Sequence, residues 1–118
     1  MTMADETEFL QNLYRDFNAR NIDIVLAALH EDVIWANGME CGHEHGREAV
    51  GIYWRRQWAI FDPHVEPLAF HPAPDGAMRV EVHQTVRDLE GNILMDGIVG
   101  HQFRIEKGLV RRFDILEA

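Results

Sequence analysis

Serine is absent from the 118 residues, and lysine and cysteine occur once each, as Lys107 and Cys41. Without serine there is no Ser-His-Asp hydrolase. Lys107 sits beside Gly108 in a turn pattern, a poor place for the desolvated amine that Schiff-base chemistry needs. One cysteine cannot close an internal disulfide, so nothing points to secretion. There is no Gly-x-Gly-x-x-Gly or phosphate-loop motif, and no cofactor is implied. No apolar run approaches membrane-spanning length. The formal net charge of −9 repels nucleic-acid backbone and anionic lipid, and no Lys/Arg stripe offsets it. Neither nucleic acid nor membrane is therefore an expected partner. The opening "MTMADETEF" is acidic and lacks the basic start and apolar core of a signal peptide, so a cytoplasmic protein is expected. What remains for proton chemistry is seven histidines, the carboxylates and two tyrosines.

Hydrophobic residues make up 47% of the chain, enough at this length for one domain, residues 1–118, with its own core. Phe9, Leu10, Leu13, Tyr14 and Phe17 fall on one stripe of a helix over 6–19. Ile22, Val25, Leu26 and Leu29 mark a short second helix. "DVIWAN" reads as a strand carrying Trp35. A third helix runs from Gly46, with Val50, Tyr53, Trp54 and Trp58 on one face, and ends at Asp62-Pro63, since the residue before proline avoids the helical region. The period then changes to two. "HVEPLAFHP" predicts a proline-bearing strand at an edge or a bulge. Long strands follow in "AMRVEVHQTVRDL", "ILMDGIVGHQFRIE" and "LVRRFDIL", with turns at Gly91 and Lys107-Gly108. This order predicts an α+β fold: three N-terminal helices packed on the concave face of a curled antiparallel sheet.

The stretches "LYRDFNARNIDIVLAALHEDVIW", "GREAVGIYW" and "HQFRIEKG" resemble the SnoaL-like branch of the nuclear transport factor 2 superfamily over nearly the whole chain. The resemblance implies a cone with an apolar pocket for a small molecule, and a homodimer through the outer face of the sheet. Relatives include polyketide cyclases, ketosteroid isomerases, epoxide hydrolases, dehydratases and binding proteins without chemistry. Ketosteroid isomerases use a tyrosine and two acidic residues. Aligning the motifs puts Leu13 at the tyrosine, with Tyr14 one step away, Asn37 at the base and His101 at the third position. An amide cannot take a proton, so the isomerase mechanism is disfavoured. Cyclases carry an acid/base aspartate at the position that His101 occupies.

His101 is thus the first candidate for proton transfer. It shares a strand face with Val99, Phe103 and Ile105, and the alternative is a bonded core histidine. His83 and Asp96 are candidate helpers. His83 shares a face with Arg79, Glu81, Thr85 and Arg87, which is either the outer surface or a polar pocket wall. Asp96 turns inward only if a bulge at Gly97 or Gly100 reverses the parity. Tyr14, Phe17, Trp35, Asn37, Tyr53, Trp54, Trp58 and Phe103 are the expected ligand-binding set; the five aromatics with polar tips, Tyr14, Trp35, Tyr53, Trp54 and Trp58, are costly in a dry core and suit a cavity for a flat or cyclic molecule. Such a cavity is expected to hold a few hundred Å³. The loop "CGHEHG" offers Cys41, His43 and His45 on one side of an extended chain. It reads as a metal site, as a lid with His43 or His45 turned inward, or as a solvated rim. Zinc spacings put two or more residues between paired donors, which counts against the metal.

Overall fold

A computed structural model describes residues 2–38 and 41–116. Helix α1 spans Met3–Asn18 and begins on a reciprocal cap in which the Thr2 hydroxyl accepts from the Asp5 amide while the Asp5 carboxylate accepts from the Thr2 amide. Helix α2, Ile22–Ala27, stops short of Leu29, which instead opens strand β1, Leu29–Ala36. Strand β2, His43–His45, lies within the loop expected to be irregular and pairs antiparallel with β1. Helix α3 covers Arg47–Trp58, followed by β3 (Phe61–Pro72), β4 (Met78–Asp88), β5 (Ile93–Glu106) and β6 (Leu109–Leu116). Among the described residues no helix is long and apolar enough to cross a membrane.

The fold is α+β, as expected, but the sheet is mixed. Its order is β2-β1-β6-β5-β4-β3, and β1 runs parallel to β6 while the other neighbours are antiparallel. Alternation reports which face a residue takes and carries no information on strand direction, so this pairing was invisible to pattern reading. Asp62-Pro63 does not end α3 and instead lies inside β3. The extended geometry that proline imposes on its predecessor suits a strand as well as a helix stop. Pro63, Pro67 and Pro72 are tolerated there because β3 is a sheet edge, with a register irregularity between Pro67 and Ala69. The hairpins form where expected, with φ of 92° at Gly91 and 54° and 78° at Lys107 and Gly108.

The helices cover one face of the sheet. That face presents Met78, Val80 and Val82 from β4, paired with Phe103, His101 and Val99 from β5. His101 and Phe103 pair in turn with Ile115 and Phe113 of β6, and Phe113 with Trp35 of β1. Leu10, Val25, Leu29, Val33, Val50 and Phe103 are all but inaccessible, each contributing roughly 1.5–3 kcal/mol of burial. The opposite face carries charge: Arg79 donates to Gln102 at 3.0 Å, and Arg112 donates to Asp114 at 2.7 Å.

The motif "FNARN" fastens α1 to the edge strand. The Asn18 amide donates to the Val65 carbonyl at 2.8 Å and accepts from the Val65 amide at 3.0 Å, standing in for the strand that β3 lacks. Arg20, at φ 63°, donates to the Pro63 carbonyl and the Asp62 carboxylate, and its guanidinium lies 4.9 Å from the Trp58 ring centroid. Replacing Asn18 by Ala strands two backbone groups of a buried residue. Urea unfolding of Asn18→Ala is expected to show a loss of about 1–3 kcal/mol. Asn18→Asp should lose stability too, since an oxygen then faces the Val65 carbonyl.

Candidate functional site

The apolar stripe of α1 sets Tyr14 against the middle of β5. Its hydroxyl lies 2.7 Å from His101 Nδ1, with Tyr14 4% and His101 6% exposed. The two ring planes are nearly parallel, 6° apart, with centroids 5.8 Å apart. Around them Phe113 meets the imidazole edge-on at 4.7 Å and Phe103 meets Tyr14 edge-on at 5.9 Å. Desolvation dominates both titrations. Burial pushes the Tyr14 phenol well above its ordinary 10 and lowers His101 from 6.5 to about 4. At neutral pH the pair is a neutral phenol and a neutral imidazole. They hold two transferable hydrogens, and their mutual bond uses one. Whichever group donates, one N–H or O–H is left over.

This pair lines a cavity of about 100 Å³, partly open to solvent, between the helices and the concave face. The wall includes Leu13, Phe17, Trp35, Tyr53, Trp54, Trp58, Phe61, Val65, Phe103 and Phe113. The volume is below the few hundred Å³ expected because the rings pack against one another. Trp35 stacks on Phe113 at 4.1 Å, Trp54 meets Trp35 at 5.1 Å, and Phe17 meets Trp58 at 5.3 Å. The enclosed part is of the order that takes a single aromatic ring, and a larger ligand would extend through the open side. Among the described residues no Asp, Glu, Lys or Arg lines it. Its polar side chains are Tyr14, Tyr53, Gln57, Gln84, His101 and the tryptophan indoles.

Of the expected ligand-binding set, Tyr14, Phe17, Trp35, Tyr53, Trp54, Trp58 and Phe103 line the cavity, whereas Asn37 is buried outside its wall. Asn37 belongs instead to the turn after β1, where its amide donates to the Gly42 carbonyl and its own carbonyl accepts from Cys41. His83 and Asp96 do not help His101. Asp96 pairs with Thr85 and His83 with Ile98 on the opposite face of the sheet, and regular pairing through Gly97 and Gly100 leaves the parity unreversed. There His83 bonds Asp96 at 2.5 Å, with Thr85 donating to the same carboxylate, and the imidazole contact holds Asp96 below the usual carboxylate range.

The lid reading of the histidine loop is also overturned. His43 and His45 pair with Ala36 and Ile34, and His43 Nε2 bonds Asp114 at 2.9 Å on the charged face. Among the described residues no group of three His, Cys, Asp or Glu is arranged to hold a metal ion. Two polar wall residues lay outside the expected ligand-binding set, Gln57 and Gln84. Each is a polar residue at an apolar position of its own period: Gln57 at offset 7 from Val50 on α3, and Gln84 between Val82 and Val86 on β4. That interruption was the available signal.

A comparison with curated proteins finds no sequence match. Solved structures share the fold. An NTF2-like protein of unknown function from Burkholderia pseudomallei is 24% identical with a TM-score of 0.83, covering 98% of this chain and 92% of its own. A putative polyketide cyclase from Xanthomonas campestris is 21% identical with a TM-score of 0.76, over 95% and 89%. The protein RV0760c from Mycobacterium tuberculosis, in complex with estradiol-17β-hemisuccinate, is 18% identical with a TM-score of 0.79, over 92% and 90%. At these identities the likeness is one of fold. The SnoaL-like domain family matches residues 10–113, from the middle of α1 to the middle of β6, and the chain belongs to that family.

Proposed function

We propose that the protein binds a neutral, cyclic, largely apolar small molecule in the cone and holds a carbonyl or hydroxyl of that molecule at the Tyr14–His101 pair. The observation that carries this reading is a buried pair of neutral hydrogen-bonding groups in an aromatic wall without charge. An ionised ligand would lose its hydration there and gain no counter-charge. A neutral ring system loses little and buries its faces against tryptophan. The steroid nucleus of the estradiol derivative held by the Mycobacterium tuberculosis protein supports the cyclic, apolar part of that class, whereas its hemisuccinate carboxylate falls outside it.

Acid/base catalysis by His101, as in a cyclase, isomerase or dehydratase, is the second reading, favoured by the imidazole's contact with a phenol. An imidazole held near 4 is a weak base at neutral pH, and it has no proton to spare as a charged acid. Binding is therefore the primary proposal. Self-association through the outer face of the sheet is part of the same reading. Ile93 and Ile98 pair with Arg87 and His83 on that face and are exposed, with Leu94, on the first half of β5, and a second copy is the occupant we infer. Sedimentation should show a dimer that Ile98→Glu converts to monomer, and a monomeric parent protein would overturn it.

Quenching of the pocket tryptophans should report saturable binding of neutral cyclic ketones and phenols, with the matching carboxylates at least tenfold weaker, roughly the penalty of one unpaired buried polar group. Preference for the carboxylates would overturn the reading. Tyr14→Phe leaves Nδ1 without its partner and should cost about 1–3 kcal/mol of stability as well as weakening ketone binding. Binding should be flat between about pH 6 and 9, because neither member of the pair changes charge there.

Stability should not be flat. His101 takes up a proton near 6.5 when unfolded and near 4 when folded, so the unfolded state binds the extra proton in between. Its contribution is complete above about 6.5 and is lost as pH falls toward 4, about 3 kcal/mol in all. Denaturant titrations in that window should show the slope, and His101→Gln should flatten it.

A further inference from the structure

Gln57 lies in the last turn of α3, one turn beyond Tyr53, and is 6% exposed. Its side chain lines the cavity, and its Oε1 has no hydrogen-bond partner among the described residues. A buried amide oxygen without a donor is uncommon in a native structure and calls for a reason. It is acceptor-only, so whatever satisfies it must bring an N–H or O–H. The described residues offer it none, and Gln57 forms part of the wall of the cavity that the proposed ligand would fill.

We propose that Gln57 is a specificity-determining residue that accepts a hydrogen bond from a hydroxyl or N–H of the bound molecule. The inference rests on the cone being a ligand site and adds a second polar requirement to it. The Tyr14–His101 pair has one N–H or O–H to give, and Gln57 has one oxygen that only accepts. The ligand class that satisfies both is a hydroxylated cyclic ketone or a related phenol, with an acceptor for the pair and a separate donor for the amide. A plain hydrocarbon or a fully methylated ether leaves Oε1 unsatisfied.

Acetophenone, 3-hydroxyacetophenone and 3-methoxyacetophenone test this at near-constant size, by NMR titration against the tryptophan indole signals. The unaltered protein should prefer the hydroxy compound to the methoxy compound about tenfold, as expected for one buried hydrogen bond made or missed. Gln57→Leu and Gln57→Met should abolish that preference, so that the hydroxy and methoxy compounds bind alike. Both variants should also melt at higher temperature than the parent without ligand, because they remove an unsatisfied buried oxygen. An unchanged preference in the variants, or a lower melting temperature, would show the amide bonded within the protein and overturn the assignment while acetophenone binding still upholds the ligand site. Failure of all three compounds to bind would overturn the ligand site and this inference with it.

Discussion

A phenol and an imidazole 2.7 Å apart, sealed between a helix layer and a sheet, set the terms for everything near them. Neither can afford to ionise where it sits, and the direction of both titrations follows from that single fact of burial. A neutral pair needs no counter-ion, so the surrounding wall is free to be aromatic. An aromatic wall in turn keeps the local dielectric low, which strengthens the bond and raises the cost of leaving either partner alone. The geometry and the electrostatics are one constraint seen twice.

The constraint reaches the edges of the molecule through α1. Tyr14 meets His101 only if the helix lies at one height and one rotation over the sheet. The polar contacts of Asn18 with Val65 and of Arg20 with Pro63 and Asp62 fix both, one turn beyond the tyrosine. They also cover an edge strand whose prolines already blunt it against pairing with other chains. Edge protection and site geometry are thereby carried by the same five-residue motif.

Much of this was legible in the sequence, and the parts that were not share a cause. Helical and strand periods located α1, α3 and the long strands, and the alternation Val99, His101, Phe103 gave the inward face of β5 directly. Parity also put His83 among polar neighbours, which the structure shows to be the outer face, and Asp96 stays on that face because β5 runs through Gly97 without a bulge. The parallel β1–β6 pairing and the short strand at His43–His45 depend on where distant segments meet, which a local period does not encode. The alignment put Leu13 at the isomerase tyrosine with Tyr14 one step away; both line the cavity, and Tyr14 is the one that bonds His101.

The two glutamines show what a closer reading of the same periods yields. A polar residue in an apolar stripe costs stability unless something satisfies it, so each such position asks for a partner. For Tyr14 and His101 the partner is internal, and the pair closes on itself. For Gln57 the oxygen is buried without a partner among the described residues. Packing would be better served by leucine at that point, with an equal fit to the stripe and no orphan. An amide at that point goes against packing, and the ligand contact we propose for it supplies the missing partner.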